Sequence, residues 1–214
     1  MRSLAVVFAT LIMCAPLAVS AASPSSAGLA VNANAAFVDA AFHVLLGRGA
    51  DPQAVQSWSQ MLANGADRST IDNAIVSSAE FRQNEVNAVF QHFLGRGADP
   101  GSLQTYGNAL GQGLTVQQIA VQLIASPEYF ARNGSTNGGF VAALYRDVLG
   151  RPPSQNDLTT WGGQLSSNAL TRMQVAQAIV GSVEGNAAFQ RWFNGAVLHG
   201  SGPPTNLPLV QAAL

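Results

Sequence analysis

Phe140-Val141-Ala142-Ala143-Leu144-Tyr145-Arg146-Asp147-Val148-Leu149-Gly150-Arg151 decides the fold of this chain. Its apolar residues Phe140, Val141, Leu144, Tyr145, Val148 and Leu149 form a broad stripe at helical period, and Gly150 stands where a helix ends in the left-handed conformation. The same stripe precedes Gly47 as Phe37, Val38, Ala41, Phe42, Leu45 and Leu46. It precedes Gly95 as Val86, Val89, Phe90, Phe93 and Leu94, with Glu85 in the leading position. Aligning Gly47-Arg48, Gly95-Arg96 and Gly150-Arg151 puts an aromatic ten residues after each arginine: Trp58, Tyr106 and Trp161. A leucine follows four residues on (Leu62, Leu110, Leu165), and each unit closes on Ser-x-Glu with Glu80, Glu128 and Glu184. Coincidences in one frame at this density establish a threefold internal repeat.

Each unit reads as three helices. The second opens at Asp51-Pro52, Asp99-Pro100 or Ser154, an N-cap acceptor followed in two cases by proline at the first helical position. The third opens at Asp67, Thr115 or Thr171, with Gln118 and Gln174 placed to complete capping boxes. No segment alternates like a strand, so the class is all-α, with repeats at 36–84, 85–132 and 140–193. Units this small need a shared core in the absence of disulfides or metal. The glycine-rich residues 133–139 read as a flexible linker, which predicts that units one and two pair and unit three is attached more loosely. Phe189, Trp192 and Phe193 suggest a capping helix, and residues 194–214 read as an extended or disordered tail.

The beginning of the chain sets the expected compartment. Arg2, the apolar run Leu4 to Ile12 and the small residues Ala18 to Ala22 have the layout of a secretory signal peptide over residues 1–22. Pro16 interrupts a run already too short to span a bilayer, so no stable membrane insertion is expected after cleavage, and the location is secreted or periplasmic. The single cysteine, Cys14, leaves with that leader, so disulfides are excluded from the mature chain. Charged residues are only 10% of the chain and the formal net charge is −1, with no basic stripe to neutralise phosphates; nucleic acid is therefore not an expected partner.

The third unit, with Trp161, Leu165 and Ser182-x-Glu184 in register, resembles a bacterial domain known as domain of unknown function 4214; the other two units resemble it more loosely. The resemblance implies a small helical fold similar to the linker domains of phycobilisomes, which hold other proteins together. It implies no catalytic residues. The chain departs from the pattern at Glu85, at Gly185 in place of an aromatic, and at Pro152-Pro153 after Arg151.

Two sets of repeated residues invite a functional reading. Arg48, Arg96 and Arg151 could be a row of anion-binding forks, but they recur with Glu80, Glu128 and Glu184, which favours pairing within each unit. Trp58, Tyr106 and Trp161 could stack on sugars, but their leucine neighbours at helical spacing favour the core. His43, His92 and His199 are not equivalent and lack metal-ligand spacing, and the Asp51 and Asp99 loops lack the acid density of a calcium site. No nucleophile–base motif and no phosphate loop is present. The expectation is a non-enzymatic protein without cofactor or metal. Its expected partner is another envelope or secreted protein or a second copy, with polysaccharide as the alternative ligand.

Overall fold

The computed structural model describes residues 24–198, all-helical and without a strand among them. Unit one comprises α1 (Pro24–Leu46), α2 (Pro52–Ala63) and α3 (Arg68–Val76). Unit two comprises α4 (Ala79–Leu94), α5 (Pro100–Gly111), α6 (Val116–Ala125) and α7 (Pro127–Arg132). Unit three comprises α8 (Asn137–Leu144), which continues as a π-helical turn Tyr145–Leu149, then α9 (Gln155–Ser166), α10 (Arg172–Val180) and α11 (Val183–Val197). The leader at residues 1–22 and the tail beyond Leu198 lie outside the described residues.

The helix ends follow from side-chain chemistry. Asp51 and Asp99 accept from the backbone N–H of Ala54 and Ser102, both at 2.9 Å, so the orphan donors of α2 and α5 are met. Thr115 with Gln118, Thr171 with Gln174 and Ser154 with Asp157 form reciprocal capping boxes on α6, α10 and α9. Gly47, Gly95 and Gly150 take φ of 69°, 62° and 69°, the left-handed turn that redirects the chain after each first helix.

Three boundaries differ from the sequence expectation. The first helix begins at Pro24, upstream of the expected start at 36. Residues 133–139 are no flexible linker: a short turn ends at Thr136, whose side chain caps α8. Asn133 donates to the Tyr129 carbonyl at 2.8 Å and accepts from Arg146 at 3.3 Å, while Asn137 donates to Ser166 at 3.0 Å. A Cβ at Gly139 would collide with the Asn133 carbonyl, so this glycine serves close backbone approach rather than freedom. The tail begins later than 194, because α11 runs to Val197 and buries Phe189, Phe193 and Val197.

Unit three is not loosely attached. Helices α6 and α10 pack antiparallel, with Gln117 near the start of α6 donating to the Val180 carbonyl at the end of α10 (3.1 Å). Trp192 of α11 stacks on His92 of α4 at 4.0 Å and meets Phe93 edge-on at 5.7 Å. The His92 ring also bonds the Asp147 carbonyl at 2.8 Å. One apolar core runs through all three units. Covering these apolar faces outweighs the freedom of a few turn residues, because burial scales with the area removed from water.

The π-helical turn has a buried anchor. Tyr129, wholly buried, donates its hydroxyl to Asp147 at 2.8 Å; burial first and the Asp147 charge second push the phenol well above its ordinary range. The aromatic that follows Ser-x-Glu in the other units is Gly185 in the third. A Cβ there would strike the Ile179 carbonyl, so α10 and α11 approach too closely for a side chain.

Candidate functional site

The residues that recur most regularly assemble into one motif per unit. Arg48 grips Glu80 through two hydrogen bonds, both of 2.6 Å. Arg96 grips Glu128 at 2.6 and 2.8 Å, and Arg151 grips Glu184 at 2.6 and 2.9 Å. Each guanidinium lies over the ring of its own first helix: Phe42 at 5.1 Å, Phe90 at 5.3 Å and Tyr145 at 5.2 Å. The repeated aromatics buttress those rings from the second helix. Trp58 meets Phe42 at 5.4 Å, Tyr106 meets Phe90 at 5.9 Å, and Trp161 donates its indole N–H to the Tyr145 hydroxyl at 3.0 Å. Hydrogen bonding from its arginine holds each glutamate below the ordinary carboxylate range. Each fork is thus closed on a glutamate, within units two and three and, for Arg48, on the first turn of α4, and the arginines present no vacant bidentate face to an outside anion.

A smaller swap explains the prolines of unit three. In units one and two the loop after Gly-Arg is pinned by the Ala50 N–H on Asp39 and the Ala98 N–H on Asn87, both at 3.0 Å. In unit three the loop residue is Pro153, which has no N–H, and the acceptor position is Ala142. Donor and acceptor are lost together, so neither is left unsatisfied.

His43 and His92 lie in different settings: His43 is exposed and bonds the Asp39 carbonyl at 2.9 Å, whereas His92 is packed under Trp192. Among the described residues no group of three or more His, Cys, Asp or Glu converges as a metal site would. No helix of the described residues is long and apolar enough to cross a membrane.

A groove of about 640 Å³ runs along the α6–α10 seam, flanked by Tyr106 of α5. Its apolar wall includes Leu114, Val121 and Val180, and its rim carries the exposed Gln122, Gln177 and Met173. Among the described residues no charged side chain lines it. Two further glutamines are partly committed: Gln118 caps α6, and Gln117 holds the end of α10. Unit one differs in sequence on its third helix: Asp72 and Asn73 stand where unit two has Ala120 and Val121 and unit three has Ala176 and Gln177. Ala120 and Ala176 are fully buried, and small residues let the two helices approach. The groove is not apparent from the sequence. Its one visible signal was the run of uncharged glutamines on the third helices of units two and three, and only tertiary packing shows that those helices meet.

Among the described residues, fold and surface define an all-α protein of three tandem helical units with a paired arginine and glutamate recurring in register and an uncharged groove. The family "Domain of unknown function (DUF4214)" matches residues 21–85 and 120–189, more than half of the chain, and the protein belongs to that family. No curated protein and no solved structure matches it. Residues 86–119, between the two matched regions, hold the Gly95-Arg96 and Tyr106 of the middle unit, and Glu128 falls within the second.

Proposed function

We propose that this protein is exported and acts without catalysis, its helical repeats binding another envelope or secreted protein in the periplasm or at the cell surface. One observation carries the reading: the recurring charged pairs are closed on themselves, and the α6–α10 groove offers amides, a methionine, a tyrosine and an aliphatic wall but, among the described residues, no charged side chain. Amide side chains both donate and accept, and methionine adapts to irregular apolar partners, a combination suited to polypeptide. The leader-like residues Leu4 to Ile12 support export. Similarity to the linker domains of phycobilisomes, which hold proteins together, fits the same role.

The test is site-directed photo-crosslinking in the native host, with the crosslinker at Gln122 or Gln177 and a control at Gln60 on α2. Protein adducts specific to the groove positions support the reading; equal adducts at Gln60, or none, count against it. The alternative ligand, polysaccharide, draws on Tyr106 beside the amides, since an aromatic with nearby hydrogen-bonding groups can hold a sugar. Saturable quenching of tyrosine and tryptophan emission by neutral glycans, abolished by Tyr106→Ala, would favour that ligand.

A further inference from the structure

We propose that unit three carries a second binding site, a pocket around Arg172 that takes a hydroxylated carboxylate of the uronic acid class. The pocket adjoins the α6–α10 groove and shares Met173 with it, but its charge chemistry is independent of what the groove holds.

The repeat brings out the charge. Arg68 and Arg172 are the first residues of α3 and α10, in the same register. Each guanidinium lies over an aromatic ring, Phe37 at 4.6 Å and Phe130 at 4.2 Å. Unit one flanks its arginine with carboxylates: Asp67 caps α3 immediately before Arg68, and Asp72 follows one turn later. Unit three has neutral residues at both places, Thr171 at the cap and Ala176 one turn on. Among the described residues Arg172 makes no ion pair, and its buried Nε has no hydrogen-bond acceptor. Unit three therefore keeps the cation and drops the two acids that offset it in unit one.

That cation lines a pocket of about 550 Å³, a size typical of small-molecule sites, and among the described residues no Asp or Glu lines it. A guanidinium stacked by its face keeps the N–H donors along its edge, and that fork matches a carboxylate. One cation suits a single negative charge, whereas a phosphate-rich chain calls for several.

The neutral lining selects further. Asn137 donates to the Ser166 hydroxyl at 3.0 Å, which leaves Ser166 its own proton to donate and Asn137 its amide oxygen to accept. Asn168, exposed at the pocket's edge, adds an amide of both polarities. Sugar hydroxyls both donate and accept, so these groups complement them. Leu165 and Leu170 supply an apolar wall for the carbon face of a sugar ring. A bare anion would leave the amides, the hydroxyl and the leucines unused.

Methionine methyl NMR on the full chain, titrated with glucuronate, tests the proposal; glucose and acetate probe the hydroxyls and the carboxylate separately. Met173 lines the pocket, and Met61 on α2, exposed to 43%, serves as an internal control. Glucuronate is expected to shift the Met173 methyl resonance saturably and to leave Met61 in place. Glucose and acetate should each bind at least about tenfold more weakly. Arg172→Gln should weaken glucuronate by at least about tenfold. Thr171→Asp gives unit three the cap acid of unit one; aspartate caps a helix as well as threonine, so the fold is kept while binding should again fall about tenfold. A Met173 resonance that glucuronate does not move overturns the proposal. Glucose bound as tightly as glucuronate, or Thr171→Asp binding as tightly as the unaltered chain, overturns it equally. Acetate bound as tightly as glucuronate would reduce the pocket to a general anion contact and overturn the sugar-acid assignment.

Discussion

Arg48 and Glu80, thirty-two residues apart, meet through two parallel hydrogen bonds of 2.6 Å while the guanidinium lies 5.1 Å from the centre of the Phe42 ring. The pair closes unit one by tying the end of its first helix to the start of the segment after its third. Both side chains remain roughly half exposed, so solvent screens their attraction. A double-mutant cycle with Arg48→Ala and Glu80→Ala should give a coupling of about 0.5–1 kcal/mol, falling with added salt. Because Glu80 titrates below its unfolded value, the coupling is present above about pH 4.5 and lost as pH falls through the lowered folded value. A coupling unchanged in strong acid would show that the ion pair is not its source.

Glu85 has the opposite sign. It occupies the place of Phe37 and Phe140, is 4% exposed, and burial pushes its carboxyl up to about 8, with Arg82 the only charge that opposes the shift. The folded chain therefore holds this proton more tightly than the unfolded chain, and stability falls as pH rises from about 4.5 through about 8. Glu85→Gln should raise stability on the order of 2 kcal/mol at pH 8.5 and hardly at all at pH 4. Urea midpoints at the two pH values decide it; equal gains at both would place the effect in packing instead.

Gly95 and Gly150 share a left-handed backbone but not their surroundings. A Cβ at Gly95 would press into the Arg132 guanidinium, whereas nothing lies near one at Gly150. Gly150→Ala should cost about 1 kcal/mol, the backbone strain alone. Gly95→Ala should cost more, since Arg132 must also move. Thermal melts of the two variants test the order, and a larger loss at Gly150 would contradict it.

The His92–Trp192 stack predicts how the chain opens. Trp192 touches His92, Phe93, Phe189 and Phe193, joining unit three to α4. Trp192→Ala should destabilise the whole chain by about 2–3 kcal/mol, with a single cooperative unfolding transition in the unaltered protein. Limited proteolysis should spare residues 133–139, whose backbone turn is hydrogen-bonded and packed. A first cut there would restore a loosely tethered third unit.

The element pattern was legible because its causes are local. Helical stripes, Asp and Thr caps, and the glycines at 47, 95 and 150 act over one or two turns, and repetition shows each of them three times. The recurrence of Arg48, Arg96 and Arg151 with Glu80, Glu128 and Glu184 was visible for the same reason. The misread segment, 133–139, shows the limit. Its composition is that of a linker, yet Gly139 is set by contact with Asn133, and composition does not distinguish a glycine chosen for freedom from one chosen for closeness.

By itself the sequence determined that this chain is all-α, threefold repeated and low in charge, since periodicity, capping and register are written in neighbouring residues. Tertiary structure alone decided that α6 and α10 pair while α3, with Asp72 and Asn73, does not, and that an uncharged groove opens along that seam. Which apolar faces cover one another depends on side-chain volume and close approach between distant segments, as at Ala120 and Ala176, and no local signal encodes that choice.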